Sequence, residues 1–202
     1  SLFGIIQGGM FESLREESAA FITELGFPGY AIGGLGVGEP KSKMYEMVKF
    51  SAALLPADKP RYLMGVGSPE DLVRGVSYGV DMFDCALPTR IARNGALFTR
   101  VGRIDVATAM FKGRSDGVEA NCDCYTCVNF TLGYLHHLFK AKELLGLRLA
   151  SIHNLRFLTR RMGDIREAII AGTFEKFKVN FLSGYQTANE EARLEQRRKL
   201  LH

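Results

Sequence analysis

Short apolar runs alternate with longer amphipathic stretches over the N-terminal part of the chain. The apolar runs are residues 3–8, 30–36, 61–67 and 80–88. Apolar positions at helical spacing predict helices over residues 10–25, 41–55 and 69–79, which follow the first three runs. Ser68 can act as the N-cap of the third helix, and Pro69 after it fits the first turn. Apolar strands joined by helical crossovers predict an α/β fold with a parallel sheet covered by helices.

The ends of the four predicted strands carry residues suited to a binding site. These residues are Gln7, Gly33, Gly34, Met64, Gly65 and Asp84. In a (β/α)8 barrel, catalytic residues gather at this rim. The stretch GGLGVGEP (residues 33–40) lacks the G-x-G-x-x-G spacing of a dinucleotide site and runs into Pro40. On the pattern alone, a barrel and a doubly wound sheet both remain open.

Asp84 carries the most chemical interest of these rim residues. A carboxylate at the mouth of an apolar strand can attack an anomeric carbon and form a covalent glycosyl intermediate. The alternative is that Asp84 caps loop amides, and Asp81 is a poorer nucleophile candidate because it lies earlier in the strand. Gln7 with the backbone of Gly34 and Leu35 can read a planar heterocycle, although a tight turn explains the glycines equally well.

Three cysteines lie within six residues, in the stretch NCDCYTCVNF (residues 121–130). The C-x-C-x2-C spacing of Cys122, Cys124 and Cys127 suits a tetrahedral zinc ion, which leaves one corner for a fourth ligand. An odd cluster does not favour disulfides. With three Cys and one further protein ligand the tetrahedron is full, so a zinc hydrolase with a bound water is not favoured.

The spacing leaves the identity of the fourth ligand open. The candidates are Cys85, His136, His137 and His153. If a helix starts just after Cys127, His136 lies about 13 Å along its axis, too far to bind the same ion as Cys127. His137 is excluded by the same distance argument. These two are predicted to be a structural pair on a half-buried helix. His153 follows a predicted helix break at Gly146. If the chain folds back there, His153 can reach the cysteines, but the spacing does not require it to be the fourth ligand.

Composition adds weaker constraints. The chain has 202 residues, 47% of them hydrophobic and 24% charged, which is ordinary for a globular domain. The net charge of +4 suits an RNA partner but does not require one. Four arginines, at positions 90, 93, 100 and 103, fall in one predicted loop-and-hairpin region, for which a solvated turn is the alternative. With no signal peptide or long apolar run, we expect a soluble, cytoplasmic protein.

The order of these motifs closely resembles that of bacterial tRNA-guanine transglycosylases. The resemblance rests on IIQGG, GGLGVGEP, YLMGVG, DMFDCALPTRIARNG, the C-x-C-x2-C cluster and a downstream His, over about residues 3–185. It implies a transferase that exchanges the wobble guanine of certain tRNAs for 7-aminomethyl-7-deazaguanine in queuosine biosynthesis. The implied fold is the C-terminal half of a (β/α)8 TIM barrel with an inserted zinc-binding subdomain.

The resemblance also implies residue roles. Asp84 matches the catalytic nucleophile and Gln7 the base-reading glutamine. The other implied base-site residues are Gly34, Leu35, Val37, Glu39 and Met64. The implied ligands of a structural zinc are Cys122, Cys124, Cys127 and His153. Arg90 and Arg93 match arginines near the RNA backbone, so the anticodon loop of tRNA and the deazaguanine base are the implied partners.

The chain departs from the family pattern in one respect. The family's first barrel half, with its general-base aspartate, would lie before Ser1, so we expect a fragment that is inactive alone. We expect its open sheet edges to be covered by pairing as a homodimer, or else by an upstream segment that supplies the missing four strands. We do not expect the archaeal form of the enzyme, which carries an RNA-binding extension after the position of Tyr185. We expect a half-barrel over residues 1–105, a zinc subdomain with C-terminal helices over 106–185 and a charged helical tail over 186–202. The competing hypothesis is a non-catalytic, zinc-containing tRNA-binding or accessory subunit.

Overall fold

The computed structural model describes residues 1–187, and the predicted charged tail lies almost entirely outside the described residues. The chain divides into two compact units, Ser1–Leu87 and a second that begins at Pro88. No helix among the described residues is long and apolar enough to cross a membrane.

The first unit alternates strands and helices as the sequence pattern predicts. Its elements are β1 (Gly4–Ile6), α1 (Glu12–Glu24), β2 (Tyr30–Ile32), α2 (Lys41–Ala53), β3 (Arg61–Leu63), α3 (Pro69–Ser77) and β4 (Met82–Phe83). The sheet order is β1-β2-β3-β4 and every pair is parallel. The predicted parallel sheet with helical crossovers is confirmed, with strands much shorter than the apolar runs.

The two faces of this sheet differ in burial. Ile6, Ile32 and Leu63 form one row across the sheet and are at most 1% exposed, because they face the cluster that includes the apolar side of α2. The alternate row pairs Ile5, Ala31, Tyr62 and Met82 in register. Ile5 and Met82 on that row are 41% and 45% exposed. One face is therefore a packed core and the other presents apolar side chains outward.

The start of α3 has the predicted cap. The Ser68 hydroxyl accepts the Asp71 N–H, and the Asp71 carboxylate accepts the Ser68 N–H, which is a capping box. Asp71 is 4% exposed and also binds the Lys41 ammonium and, at 2.7 Å, the Tyr45 hydroxyl. The bonds from Lys41 and Tyr45 join α2 to the start of α3.

The second unit holds a hairpin and a set of helices. Its elements are α4 (Leu87–Ala92, which begins one residue before the unit), β5 (Ala96–Thr99), β6 (Gly102–Asp105), a 3-10 turn (Ala109–Phe111), α5 (Tyr125–Asn129), α6 (Leu132–Lys140), α7 (Leu144–Ile170) and α8 (Phe174–Gly184). β5 and β6 are antiparallel. Leu97, Leu135 and Leu149 lie at the centre of the unit's core, each at most 1% exposed. The last predicted strand overlaps α4, where Pro88 fits the first turn.

Two sequence-based helix boundaries are wrong. The helix predicted just after Cys127 starts at Leu132 instead, because Phe130 is extended and the Thr131 hydroxyl accepts the Tyr134 N–H as an N-cap. Gly146 is not a break but lies in the first turn of α7. A Cβ there would lie 3.0 Å from the Leu138 Cβ, so the glycine permits close packing of α7 on α6.

Candidate active site and metal centre

Gln7 and the glycines after β2 lie together at the carboxyl edge of the first unit's sheet. The Gly33 N–H continues the ladder by donating to the Ile6 carbonyl at 3.0 Å. A Cβ at Gly33 would be 2.5 Å from the Gln7 Nε2, and one at Gly34 would be 2.6 Å from Oε1. Gly34 also has φ +70°. The amide of Gln7 therefore lies against the two glycines, in space that their missing side chains leave open.

Asp84 follows β4 at the same edge and is held by two donors. Its Oδ1 accepts the Tyr62 hydroxyl at 2.6 Å and the Gly65 N–H at 2.8 Å. The bond from Tyr62, followed by that from Gly65, holds the pKa of Asp84 below its usual range, against a smaller opposing effect of burial. Both bonds fall on one oxygen and the side chain is exposed. The arrangement supplies an ionised, oriented carboxylate whose Oδ2 neither donor uses.

Tyr62 is a site residue that the sequence analysis missed. The bond to Asp84 is the largest cause that raises the pKa of its hydroxyl to about 12, with burial and the Asp84 charge adding to it. The sequence could have indicated Tyr62 as a site residue, because side chains two residues apart on a strand share a face. Tyr62 therefore shares a face with Met64, and Met82 shares one with Asp84.

The loop after β2 is closed by Glu39. Its carboxylate accepts the N–H groups of Gly36, of Val37 at 3.1 Å and of Gly38 at 3.0 Å. Burial acts to raise the pKa of Glu39, but these backbone donors together outweigh it and hold the pKa below its ordinary value. Leu35 is 4% exposed, so its side chain is inside. A ligand at this edge would meet the backbone of Leu35 and not its side chain.

Arg15 on α1 is a second residue that the sequence analysis missed. Its side chain is fully buried, with Nε donating to the Gly9 carbonyl at 2.8 Å and Nη2 to the Gly33 carbonyl at 3.2 Å. Burial lowers its pKa, and the charge of Glu39 partly offsets that effect. Through these two hydrogen bonds Arg15 holds the turn after β1 and the turn after β2. Nothing in the helical pattern distinguishes it from a solvated arginine.

A separate group of ligand atoms forms in the second unit. The Sγ atoms of Cys122, Cys124 and Cys127 lie 3.8, 3.7 and 3.4 Å from the Nδ1 of His153, and all four atoms are within 4.8 Å of one another. Tetrahedral zinc with Zn–S of about 2.3 Å and Zn–N of about 2.05 Å requires S···N separations of about 3.6 Å. The donor set and its spacing fit a structural zinc, as predicted.

His153 is oriented for this role by its other nitrogen. Nε2 lies 2.8 Å from the Phe98 carbonyl, and an N–H donated there turns the Nδ1 lone pair toward the sulfurs. Asn154, which the sequence analysis did not single out, is also fully buried. It accepts the Phe98 N–H and donates to the carbonyls of Pro88 and Ala96. Together the His–Asn pair ties α7 to β5 and to the start of α4.

The other candidates for the fourth ligand have different partners. His136 is buried with Nδ1 2.9 Å from the Val106 carbonyl, and His137 stacks on Tyr134. Cys85 places its Sγ 3.4 Å from the Gly67 carbonyl, and burial is the largest cause that raises the pKa of its thiol. A structural role for the two histidines and a packed thiol at Cys85 agree with these positions.

The two arginines assigned to RNA lie on and just after α4. Arg90 is in the last turn of the helix and Arg93 follows its end. Both are exposed, and neither forms an ion pair with another described residue. They are therefore available to a polyanion.

Comparison with known proteins identifies the family of this chain. The family described as Queuine tRNA-ribosyltransferase matches residues 1–187. The chain belongs to that family. A relative of that name from Dehalococcoides mccartyi is 53% identical over 200 residues, which cover 99% of this chain and 51% of the relative. Another from Symbiobacterium thermophilum is 56% identical over 193 residues, covering 96% and 48%. The chain spans about half the length of the curated relatives it matches.

Proposed function

We propose that this chain carries the nucleophile and part of the base site of a tRNA-guanine transglycosylase. The enzyme would exchange the wobble guanine of tRNA for 7-aminomethyl-7-deazaguanine in queuosine biosynthesis, in the cytoplasm. Family membership supports this proposal. The observation that carries it is the Asp84 carboxylate, exposed at the sheet edge and fixed through a single oxygen by Tyr62 and Gly65.

The proposed reaction proceeds through a covalent intermediate on Asp84. Oδ2 attacks C1′ of the ribose while the glycosidic bond breaks, and guanine leaves with the bonding electron pair. Positive charge builds on the sugar in an oxocarbenium-like transition state, which the carboxylate stabilises. The departing guanine takes up a proton. A ring nitrogen of the incoming base then loses its proton to a general base, the aspartate that the family resemblance implies, and displaces Asp84 from C1′. The bonds from Tyr62 and Gly65 keep the carboxylate ionised for the first step and stabilise it as leaving group in the second.

The base site is proposed to lie beside Asp84 at the strand ends. Gln7 offers an amide donor and acceptor to a heterocycle, and the backbone of Gly34 and Leu35 adds further polar groups. Met64 would flank the bound base. Val37 and Glu39 lie in the loop that would meet the aminomethyl group, and Glu39 acts there at least by fixing the three N–H groups that it accepts.

We further propose that the first unit is part of a (β/α)8 barrel. The strands follow one another across the sheet without a reversal, whereas a doubly wound sheet needs a switch point. The row with Ile5 and Met82 would face the barrel interior, where such side chains are normally packed. The proposed domains are the half-barrel over residues 1–105, the zinc subdomain with C-terminal helices over 106–185 and the tail over 186–202.

The outward apolar row leads us to expect a homodimer of this chain. Light scattering is expected to give twice the mass of one chain, because pairing covers the sheet edges and Ile5 and Met82. Ile5→Lys places a charge on that row and is expected to shift the protein toward monomer. A monodisperse monomer of the unaltered chain across a broad concentration range would contradict the expectation.

Arg90→Ala and Arg93→Ala are expected to weaken tRNA binding. Each lost phosphate contact should lower the slope of log affinity against log salt by about one unit. The measurement is a filter-binding or anisotropy titration at several salt concentrations. Arg148→Ala, an exposed arginine on α7, is the control for net charge. An equal loss in that control, or an unchanged slope in both variants, would remove these arginines from the interface.

The proposed function is tested by a covalent adduct. The chain is incubated with tRNA without incoming base, and a denaturing gel shows whether RNA stays attached. An adduct that maps to Asp84 supports the transferase, since this first half of the reaction needs no deprotonation of an incoming base. RNA binding with no adduct under any condition would favour the accessory, binding-only subunit instead.

A further inference from the structure

A small ionic cavity lies beside the cysteine loop in the second unit. It has a volume of about 270 Å³, and four arginines line it: Arg100, Arg156, Arg160 and Arg161. Pockets for drug-sized ligands typically span about 300–1,000 Å³ and are mostly apolar. We call this site the arginine cavity. Its charged lining suits a small ionic group.

The arginine cavity is lined by more guanidinium groups than carboxylates, and Cys122 of the cysteine group also lines it. Two lining carboxylates face the four guanidinium groups, with Arg100 3.7 Å from Glu119 and Arg161 2.9 Å from Asp164. Arg156 makes a bidentate pair with Asp123 outside the lining. Arg160 forms no ion pair within residues 1–187. One cation of the cavity therefore lacks a carboxylate partner there.

Arg161 gives a second, independent indication that the cavity binds an anion. Its side chain is 14% exposed and lies over the rings of Phe157, Phe177 and Phe181, at 4.9 Å from the last centroid. Its Nε is buried with no hydrogen-bond partner among the described residues. Burial lowers the pKa of this guanidinium, against a smaller opposing effect of Asp164. A buried donor without a partner is costly, and Arg161 is one of the residues that line the cavity.

We propose that the arginine cavity binds a phosphate group. Guanidinium groups present planar pairs of N–H donors that match phosphate oxygens, and they are the usual choice for such sites. The phosphate could belong to an RNA backbone or be free in solution, and only the RNA source rests on the proposed function. The competing hypothesis is a purely structural role. Arg100 and Arg160 also donate to the carbonyls of Ala120 and Asn121, which holds the cysteine loop.

The first test uses inorganic phosphate and the zinc-loaded chain. Thermal unfolding is followed against phosphate concentration, with chloride at matched ionic strength as reference, because a ligand of the native state raises Tm saturably. Arg160→Gln is expected to weaken the apparent phosphate affinity at least about tenfold, as loss of a charge-assisted bond should. Arg166→Gln, an exposed arginine on the same helix, should respond like the unaltered chain.

A second variant protects the test against a folding defect. Arg100→Gln, whose side chain is 58% exposed on the hairpin turn, should show the same loss of affinity with normal zinc content. If the unaltered chain shows no saturable response to phosphate and no change in RNA binding on Arg160→Gln, the proposal is overturned. The same holds if the cavity variants and Arg166→Gln respond equally.

An RNA titration distinguishes the two sources of phosphate. Binding of an anticodon stem-loop RNA is measured against salt for the same variants. A slope lower by about one unit in Arg160→Gln and in Arg100→Gln, but not in Arg166→Gln, assigns the cavity to an RNA phosphodiester. Unchanged RNA affinity with a lost response to inorganic phosphate assigns it to a free phosphate. Adduct formation at Asp84 is read separately, so a failure of the transferase proposal leaves the phosphate result standing.

Discussion

Removing zinc from this protein is expected to unfold the region from about residue 105 through the middle of α7. Cys122, Cys124 and Cys127 lie in a segment with little regular structure, and His153 attaches that segment to α7. Structural zinc contributes about 10–16 kcal/mol in zinc-finger peptides, which is comparable to the whole stability of a domain at about 5–15 kcal/mol. Circular dichroism before and after chelation should show a large loss of helix, and metal analysis should give one zinc per chain.

Two cysteine variants give a matched comparison for this prediction. Cys124→Ser removes a thiolate from the group and should lose zinc and lower Tm strongly. Cys85→Ser makes the same chemical change at a thiol that packs against Gly67, away from the group, and should keep its zinc. Protein purified without chelator that contains no zinc, or Cys124→Ser with full zinc and stability, would refute the assignment.

The sequence predicts the elements of the first unit well because their signals are local. Ser68 and Pro69 mark the start of α3 through a cap and a fixed φ, and both act within one turn. Strand length is harder to predict. The run over residues 80–88 is largely apolar, yet only Met82 and Phe83 pair with β3, because pairing depends on the neighbouring strand.

The helix boundaries of the second unit show where local reasoning fails. Gly146 carries the sequence signature of a break, since glycine is a weak helix former. In the structure its missing side chain is used for packing against Leu138, and the true break is at Lys142, which has φ +58°. Packing between helices decides this boundary, and no residue near Gly146 records which helix will lie against it.

The residues of the candidate site likewise include some that local sequence signals predict and some that they do not. Asp84 and Gln7 were predictable because polar side chains at the carboxyl ends of parallel strands gather where such folds place their active sites. Arg15 was not, because its burial depends on the turns after β1 and β2 closing over it. Tyr62 lies between these cases. The strand period predicts its face, but only the register of β3 with β4 brings its hydroxyl to Asp84.

Asp84→Asn is expected to abolish the covalent RNA adduct, with a loss on the order of 10⁴-fold or more, as removal of a nucleophile typically causes. The amide is nearly isosteric with the carboxylate, and its Oδ1 can still accept the Tyr62 hydroxyl and the Gly65 N–H. The fold should therefore be kept while the attacking oxygen is lost. Adduct on a denaturing gel is the readout, because it needs only attack at C1′ and departure of guanine.

Asp81→Asn is the matched control for that variant. Asp81 lies three residues earlier, is exposed, and accepts the Arg61 N–H at 2.8 Å. The same change of charge there should leave adduct formation within about twofold, because a surface carboxylate that does not touch the ribose contributes little to the chemical step. Tyr62→Phe should fall between the two, since it removes one of the two donors to Asp84 but keeps the nucleophile. Adduct formed at an undiminished rate by Asp84→Asn, or lost equally in Asp81→Asn, would show that another group attacks the ribose.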